Sequence, residues 1–234
     1  MNASSLKKEL NSHKNPEKIP TYQNFFKTGK DEYGEGDKFL GLTVPLQRKI
    51  SKKYQDMSLI EIQKVLQSKI HEHRLTALLI LVLKYKKTSD QEKKEIIEFY
   101  LKNTRYINNW DLVDLSAHYT LGDYILDKDR SVIYKLARSK NLWEKRIAML
   151  TTFAFIYNGE YKDTIAIAEI LVNDDHDLIH KAAGWMLREV GKRVSLKEEE
   201  RFLKKYHKTM PRTMLRYAIE RFPEAKRKMY MKKS

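Results

Sequence analysis

Turn-forming residues are scarce in this sequence, which holds eight glycines and five prolines among 234 residues. A β-sandwich or barrel reverses direction about every ten residues and draws on Gly, Pro or Asn-Gly at most of its turns. That supply is missing, so the chain must be built chiefly from helices. The apolar spacing agrees. Leu75, Leu78, Leu79, Val82 and Leu83 fall on one helical face, as do Ile147, Leu150, Phe153 and Ala154, and no stretch sustains strand alternation.

From about Pro45 onward the sequence runs through amphipathic stretches of roughly ten to twenty residues separated by short polar joints. Ser58 to Glu61, Ser89 to Glu92 and Ser195 to Glu198 each match the capping box, in which Ser accepts from the third amide and Glu reaches back. Helices of this length on short joints pack beside their neighbours, and a long series of them stacks rather than closing into a bundle. The expected fold is therefore all-α: an α-α superhelix of HEAT-like or armadillo type, about five or six helix pairs in a single domain over 1–234, with a concave basic face. The region to about residue 44 differs, with Pro16, Pro20 and several glycines, and reads as a short helix near Tyr22 to Lys27 followed by an irregular loop. The basic tail from about 223 to 234 is expected to fray.

Composition excludes several function classes. With no cysteine, disulfides, zinc ribbons, iron-sulfur clusters and thiol catalysis fall away, and a reducing cytoplasm is the expected location. The opening residues lack the apolar core of a signal peptide, and the apolar run Leu75 to Leu83 is too short to span a bilayer, so no membrane association is expected. Hydrophobic residues at 41% and charged residues at 33% exclude wholesale disorder and point to many solvated faces. A net charge of +15 suits a polyanionic partner, although a Lys-rich helical surface would also produce it.

Three segments carry candidate chemistry. In Asn108 to Asp114, NNWDLVD, Trp110 and Asp114 stand at i, i+4 and share a helix face, whereas Leu112, Leu115 and Tyr119 should turn to the core. A carboxylate beside an aromatic surface has little water and favours a developing positive charge; the other reading, a first-turn Asp favoured by the helix dipole, fits Asp111 better. In NLWEKRIAML, Arg146 interrupts the apolar row Leu142, Met149, Phe153, so it either pairs with an acid such as Asp114 or grips phosphate in a groove. In KAAGWMLREVGK, Lys181, Trp185, Arg188 and Lys192 share one face. That row suits a phosphate backbone with a ring reaching a sugar or base, or else a Trp packed under Lys and Arg stems. His176 and His180 stand at metal-pair spacing and His71-Glu72-His73 looks metal-like, but the first pair lies among capping residues with no third ligand, and no metal site is expected. Gly-rich phosphate loops, Ser nucleophile elbows and kinase signatures do not occur.

These segments, together with GDKFLGLTVPLQRK at Gly36 to Lys49, follow one another in an order that resembles the AlkD-like DNA alkylation repair glycosylases, a family built from HEAT-like repeats. The likeness runs from about Asn15 to Arg221. It implies catalytic positions at Trp110 and Asp114 from the WDxxD-like segment, Arg146 from the WxxR-like segment and Trp185 from the GWxLRE segment. DNA-contacting positions would be Arg48, after the family's Pro, and Arg188; the basic row adds Lys181 and Lys192. One departure is Asn109, where some members carry a second Trp, which bears on lesion preference. The family does not require full base flipping and suggests a monomer acting without a cofactor.

The chemistry follows from the substrate. A purine alkylated at N3 or N7 is cationic and leaves without being protonated, so one carboxylate suffices in place of the two that glycosidases use. The expected function is monofunctional hydrolysis of that N-glycosidic bond in duplex DNA, leaving an abasic site; no suitably placed Lys suggests a Schiff base. The alternatives are a non-catalytic module for damaged, bent or branched DNA, and a helical scaffold for an acidic protein. DNA binding would weaken steeply with salt, and a protein interface less so.

Overall fold

A computed structural model describes residues 1–232. The described residues form helices and connecting loops, and the sole trace of sheet pairing among them is an isolated parallel bridge between Lys38 and Ile70. The fold is thus all-α, as the turn scarcity and helical spacing imply. No helix is long and apolar enough to cross a membrane. The chain divides into two compact units, Met1–Ser116 and Ala117 onward.

The first unit comprises α1 (Ala3–Ser12), α2 (Ile19–Phe25), α3 (Val44–Lys53), α4 (Leu59–Leu66), α5 (His71–Tyr85), α6 (Asp90–Lys102) and α7 (Trp110–Asp114). Its hub is α5, which packs against α1, α3, α4, α6 and α7. Every residue of α5 from His71 to Val82 is buried, so the apolar face read from the sequence is only part of a helix enclosed on all sides. The N-terminal region holds more order than expected. Asn2 caps α1 by accepting from the Ser5 N–H, and Leu6 and Leu10 are fully buried. Glu61 explains the docking: Ser58 caps α4 as predicted, but the Glu61 carboxylate accepts from the Ala3 N–H at 2.6 Å instead of closing the box. The complete capping box is at Ser89 and Glu92.

The second unit opens with a π-helical turn over His118–Gly122. It continues through α8 (Ser131–Ala137), α9 (Leu142–Tyr157), α10 (Lys162–Leu171), α11 (Asp177–Arg193), α12 (Leu196–Tyr206), α13 (Arg212–Ala218) and α14 (Glu224–Met231). The helix hubs are α9, which packs against α8, α10 and α11, and α11, which also packs against α12 and α13. Gly184 permits the approach of α11 to α13, since a Cβ there would lie 2.4 Å from the Met214 carbonyl oxygen. Two expectations are corrected. Tyr119 does not face the core: the π-turn redirects the chain after α7 and leaves it 37% exposed. The tail does not fray through 224–231, because α14 buries Tyr230 against Phe222 and His207; its last two residues lie outside the described range.

Candidate active site

In the first unit the segment between α2 and α3 is folded onto the start of α5. Lys38 N–H donates to the Lys69 carbonyl and His71 N–H to the Lys38 carbonyl, which brings Phe39 to Leu42 over the first turn of α5. There the Glu72 carboxylate, 1% exposed, accepts from three consecutive backbone amides: Leu40 at 2.9 Å, Gly41 at 2.7 Å and Leu42 at 3.1 Å. This is an anion held by a nest of amides. The turn requires glycine at 41, whose φ is +82° and where a Cβ would meet the Asn15 carbonyl oxygen at 2.3 Å.

His71 lies beside that nest and is also buried. Its Nε2 is 2.8 Å from Asp111 Oδ2 on α7, and its Nδ1 is 3.3 Å from Asp37 Oδ2 in the loop. Arg74, one turn along α5, donates to both Asp37 oxygens at 2.7 and 2.8 Å. Burial works against the charged imidazole, but the charge and hydrogen bond of Asp111 and the hydrogen bond of Asp37 outweigh it and push His71 up to about 9. Burial likewise raises the Asp37 carboxyl, yet His71 and Arg74 together bring it below its ordinary value. His73 differs. Desolvation, helped by Lys7 and Arg74, takes it down to about 4, and its nitrogens meet Ser68 Oγ and Asn11 Oδ1.

Aromatic rings complete the wall. Phe26 stacks on Trp110 with centroids 5.3 Å apart and on Phe39 at the same distance, and its centroid is 4.6 Å from that of His71. Phe25, 60% exposed, meets the edge of Trp110 at 5.4 Å. Around these rings lies a cavity of about 280 Å³. Tyr22, Phe25, Phe26 and Trp110 give it aromatic walls, Leu42, Val44, Leu75 and Leu115 apolar ones, and Gln47, His71, Glu72, Asp111 and Asp114 its polar groups. The Tyr22 hydroxyl is raised by burial and by the charge of Glu72. Electron-rich ring faces together with three carboxylates against one imidazole suit a flat, cationic guest.

Trp110 and Asp114, expected to share a face, line this one cavity, and Leu115, expected in the core, is half-buried at its edge. Asn109 is fully buried and caps α7 by accepting from the Trp110 N–H at 2.8 Å. Arg48 is exposed on α3. In the second unit Arg146 is 5% exposed and donates to the Leu178 carbonyl at 2.7 Å. Trp185 is half-buried with its ring edge-on to Phe153 at 5.6 Å. The basic row beside it is partly neutralised, since Lys181 pairs with Asp177 at 2.6 Å and Arg188 with Glu220 and Glu189, while Lys192 is exposed.

Sequence reasoning missed Tyr22, Phe25 and Phe26 as wall residues, and Asp37, His71, Glu72 and Asp111 as their support. The aromatic cluster of α2 is a signal, as are the four polar or charged residues His71 to Arg74 that open the otherwise apolar helix α5. Both His71 nitrogens are engaged by carboxylates, His176 Nδ1 caps α11 by accepting from the Leu178 N–H, and His180 Nε2 contacts the Asp174 carbonyl. Among the described residues no group of three metal-ligating side chains is disposed to hold an ion.

The solved structure of a protein described as a predicted DNA alkylation repair enzyme from Enterococcus faecalis is similar to the chain, with a TM-score of 0.69 at 17% identity, over 91% of this chain and 98% of that one. At that identity the likeness speaks to the fold. A search of curated protein sequences finds no match. The family model for DNA alkylation repair enzymes matches residues 6–222, nearly the whole sequence, and the chain therefore belongs to that AlkD-like family.

Proposed function

We propose that the protein is a monofunctional DNA glycosylase that hydrolyses the N-glycosidic bond of cationic N3- or N7-alkylated purines in duplex DNA and leaves an abasic site. The observation that carries this reading is the placement of Asp114 and Trp110 on one aromatic-walled cavity rich in carboxylates. As the bond to an alkylated purine breaks, the positive charge moves from the base to the deoxyribose. Asp114 stabilises that oxocarbenium character and orients the attacking water, and Trp110 presents an electron-rich face to the sugar. The departing base is neutral once the bond has gone, so the reaction needs no general acid. Trp185, Arg146, Arg48, Lys181, Arg188 and Lys192 take their roles from the family resemblance: a second ring against the lesion, a cation on the neighbouring phosphate, and backbone contacts that the charge of +15 favours. The protein acts as a monomer without a cofactor, in the cytoplasm on nucleoid DNA.

The test is release of 7-methylguanine and 3-methyladenine from methylated duplex DNA by the wild type and by Asp114→Asn. Loss of about 10²–10³-fold in the variant with DNA affinity retained is expected for an electrostatic group at the reacting centre. DNA binding by both proteins with base release by neither would replace the enzyme with a damaged-DNA binding module.

A further inference from the structure

The cluster beneath the aromatic wall has no part in the chemistry above, yet its geometry is restrictive. Both His71 nitrogens face carboxylate oxygens, Asp111 on one side and Asp37 on the other. Carboxylates only accept, and a neutral imidazole has one N–H, so either neutral tautomer would aim a lone pair at a carboxylate. With Asp37 and Asp111 both ionised, the arrangement is satisfied only by imidazolium. The two carboxylates come from different elements: Asp37 from the loop folded on Glu72, and Asp111 from α7, next in sequence to Trp110. Phe39 stacks on the same imidazole, Phe26 lies tilted against it, and Phe26 also stacks on Trp110.

We infer that His71 is a positioning residue for the excision reaction: as a doubly protonated strut it ties α7 to the loop and to the Phe26 wall, and so fixes Trp110 and Asp114 where the sugar must sit. The inference rests on the glycosylase reading only for its effect on rate; the strut itself is a property of the fold.

The charged and titratable groups around His71 are Asp37 in the loop, Asp111 on α7, Glu72 and Arg74 on α5, and, lining the same cavity, Asp114 of α7 and the Tyr22 phenol of α2. Phe26 and Phe39 pack against its ring, and Gln47 of α3 is neutral. With the proton in place, Asp37 and Asp111 are balanced by His71 and Arg74. Without it, Asp111 loses its cation and the N–H bridge, and the ring stack of Phe26 on Trp110 and Phe39 is left to hold α7 beside the loop without that directional link. Below the transition the site is assembled, and above it Trp110 and Asp114 are released from their fixed positions.

The experiment uses the full chain labelled with ¹⁵N-histidine and 5-fluorotryptophan, with ¹⁵N and ¹⁹F resonances assigned by His71→Gln and by single Trp→Phe variants, and excision of 7-methylguanine measured across pH 6–10. Both His71 nitrogens are expected to be protonated at pH 7.5 and to lose a proton near pH 9. The Trp110 resonance should move along the same transition, and the excision rate should fall about tenfold or more along it, with the loss in kcat rather than KM. Asp37→Asn, which retains His71 and removes one of its two carboxylates while its amide oxygen can still accept from Arg74, is read beside His71→Gln. It should move all three transitions to lower pH by about one unit. A neutral His71 at pH 7.5, or a Trp110 resonance that stays fixed while His71 titrates, overturns the inference. If His71 and Trp110 titrate together and no base is released at any pH, the strut stands and the glycosylase reading fails. A rate that is flat through a His71 transition seen by both labels removes the positioning role.

Discussion

Glu72 offers a test of how the loop is held against α5. Its carboxylate is the acceptor for the amides of Leu40, Gly41 and Leu42, all away from solvent. Glu72→Ala leaves three buried donors without that acceptor. An orphaned buried polar group costs about 1–3 kcal/mol, so the full loss would be of the order of 6 kcal/mol, and partial relaxation of the loop toward water lowers this to about 4 kcal/mol. Glu72→Gln separates charge from geometry. Its carbonyl oxygen can keep the amides of Gly41, Leu42 and, at 3.0 Å, Leu40, while its NH₂ takes the place of Oε2, the second acceptor of the Leu40 N–H at 2.9 Å. One branch of a shared bond and the charge assistance are lost and a donor is set against Leu40 N–H, for about 2 kcal/mol. Urea unfolding at pH 7 should show lower midpoints in the order Ala, Gln, wild type with an unchanged slope. Amide exchange at residues 40–42 should quicken in the same order. A cost below about 1 kcal/mol for Glu72→Ala, or equal costs for the two variants, would refute the reasoning, because the amides would then have another acceptor or find water at no penalty.

Gly184→Ala places a methyl 2.4 Å from the Met214 carbonyl and 2.6 Å from Tyr217 Cβ, so α11 and α13 must part; calorimetry should show a loss of about 3 kcal/mol. Asn141, whose side chain accepts from the Trp143 and Glu144 amides, caps α9, and Asn141→Ala should cost about 1 kcal/mol by urea midpoint. His71 has a raised pKa in the fold, so its contribution is fully present below pH 6.5 and is lost as pH rises through about 9; the wild type should become less stable over that window. Glu199 is a buried carboxyl raised to about 8, by burial first and then by the charge of Glu200. The fold keeps its proton while the unfolded chain releases it, so this group costs increasing stability from pH 4.5 to about 8. Glu199→Gln should therefore exceed the wild type in urea midpoint by more at pH 8.5 than at pH 5.

What the sequence disclosed and what it hid divide along sequence distance. The helical class followed from turn scarcity and from the spacing within α5 and α9, both local signals. The shared face of Trp110 and Asp114 was a local signal too, and both side chains reach one cavity. The partners that support them come from far away in the chain: His71 meets Asp111 across 40 residues and Asp37 across 34. Locally His71-Glu72-His73 resembled a ligand cluster, because nothing nearby shows that carboxylates elsewhere will claim His71 or that backbone amides will claim Glu72. Arg188 is the mirror case. Read as part of a cationic row, it pairs with Glu220, 32 residues on. At the N-terminus the signal for α1 was present in Asn2, Leu6 and Leu10, but a helix of ten residues is marginal alone and is secured by Glu61 of α4.

The start of α5 breaks the rules that the rest of the chain obeys. It has no side-chain cap at Ile70, and its first four residues, His71 to Arg74, are all buried although all are polar or charged. Cations there also oppose the positive end of the helix dipole. Buried ion pairs are seldom more stabilising than well-packed apolar residues, yet removing a single partner strands the other, so such a cluster contributes geometry more reliably than stability. In this protein that geometry meets the candidate site directly: Glu72 sets the loop, His71 links the loop to α7, and α7 carries Trp110 and Asp114. The two residues can be told apart by how their loss depends on pH. Glu72 binds amides that do not titrate, so the cost of removing it should be nearly constant over pH 6–10, whereas the cost of removing His71 should shrink as the wild-type ring itself loses its proton. Parallel pH profiles for Glu72→Gln and His71→Gln would mean that the cluster acts only as packing, and that the site's geometry is set elsewhere in the first unit.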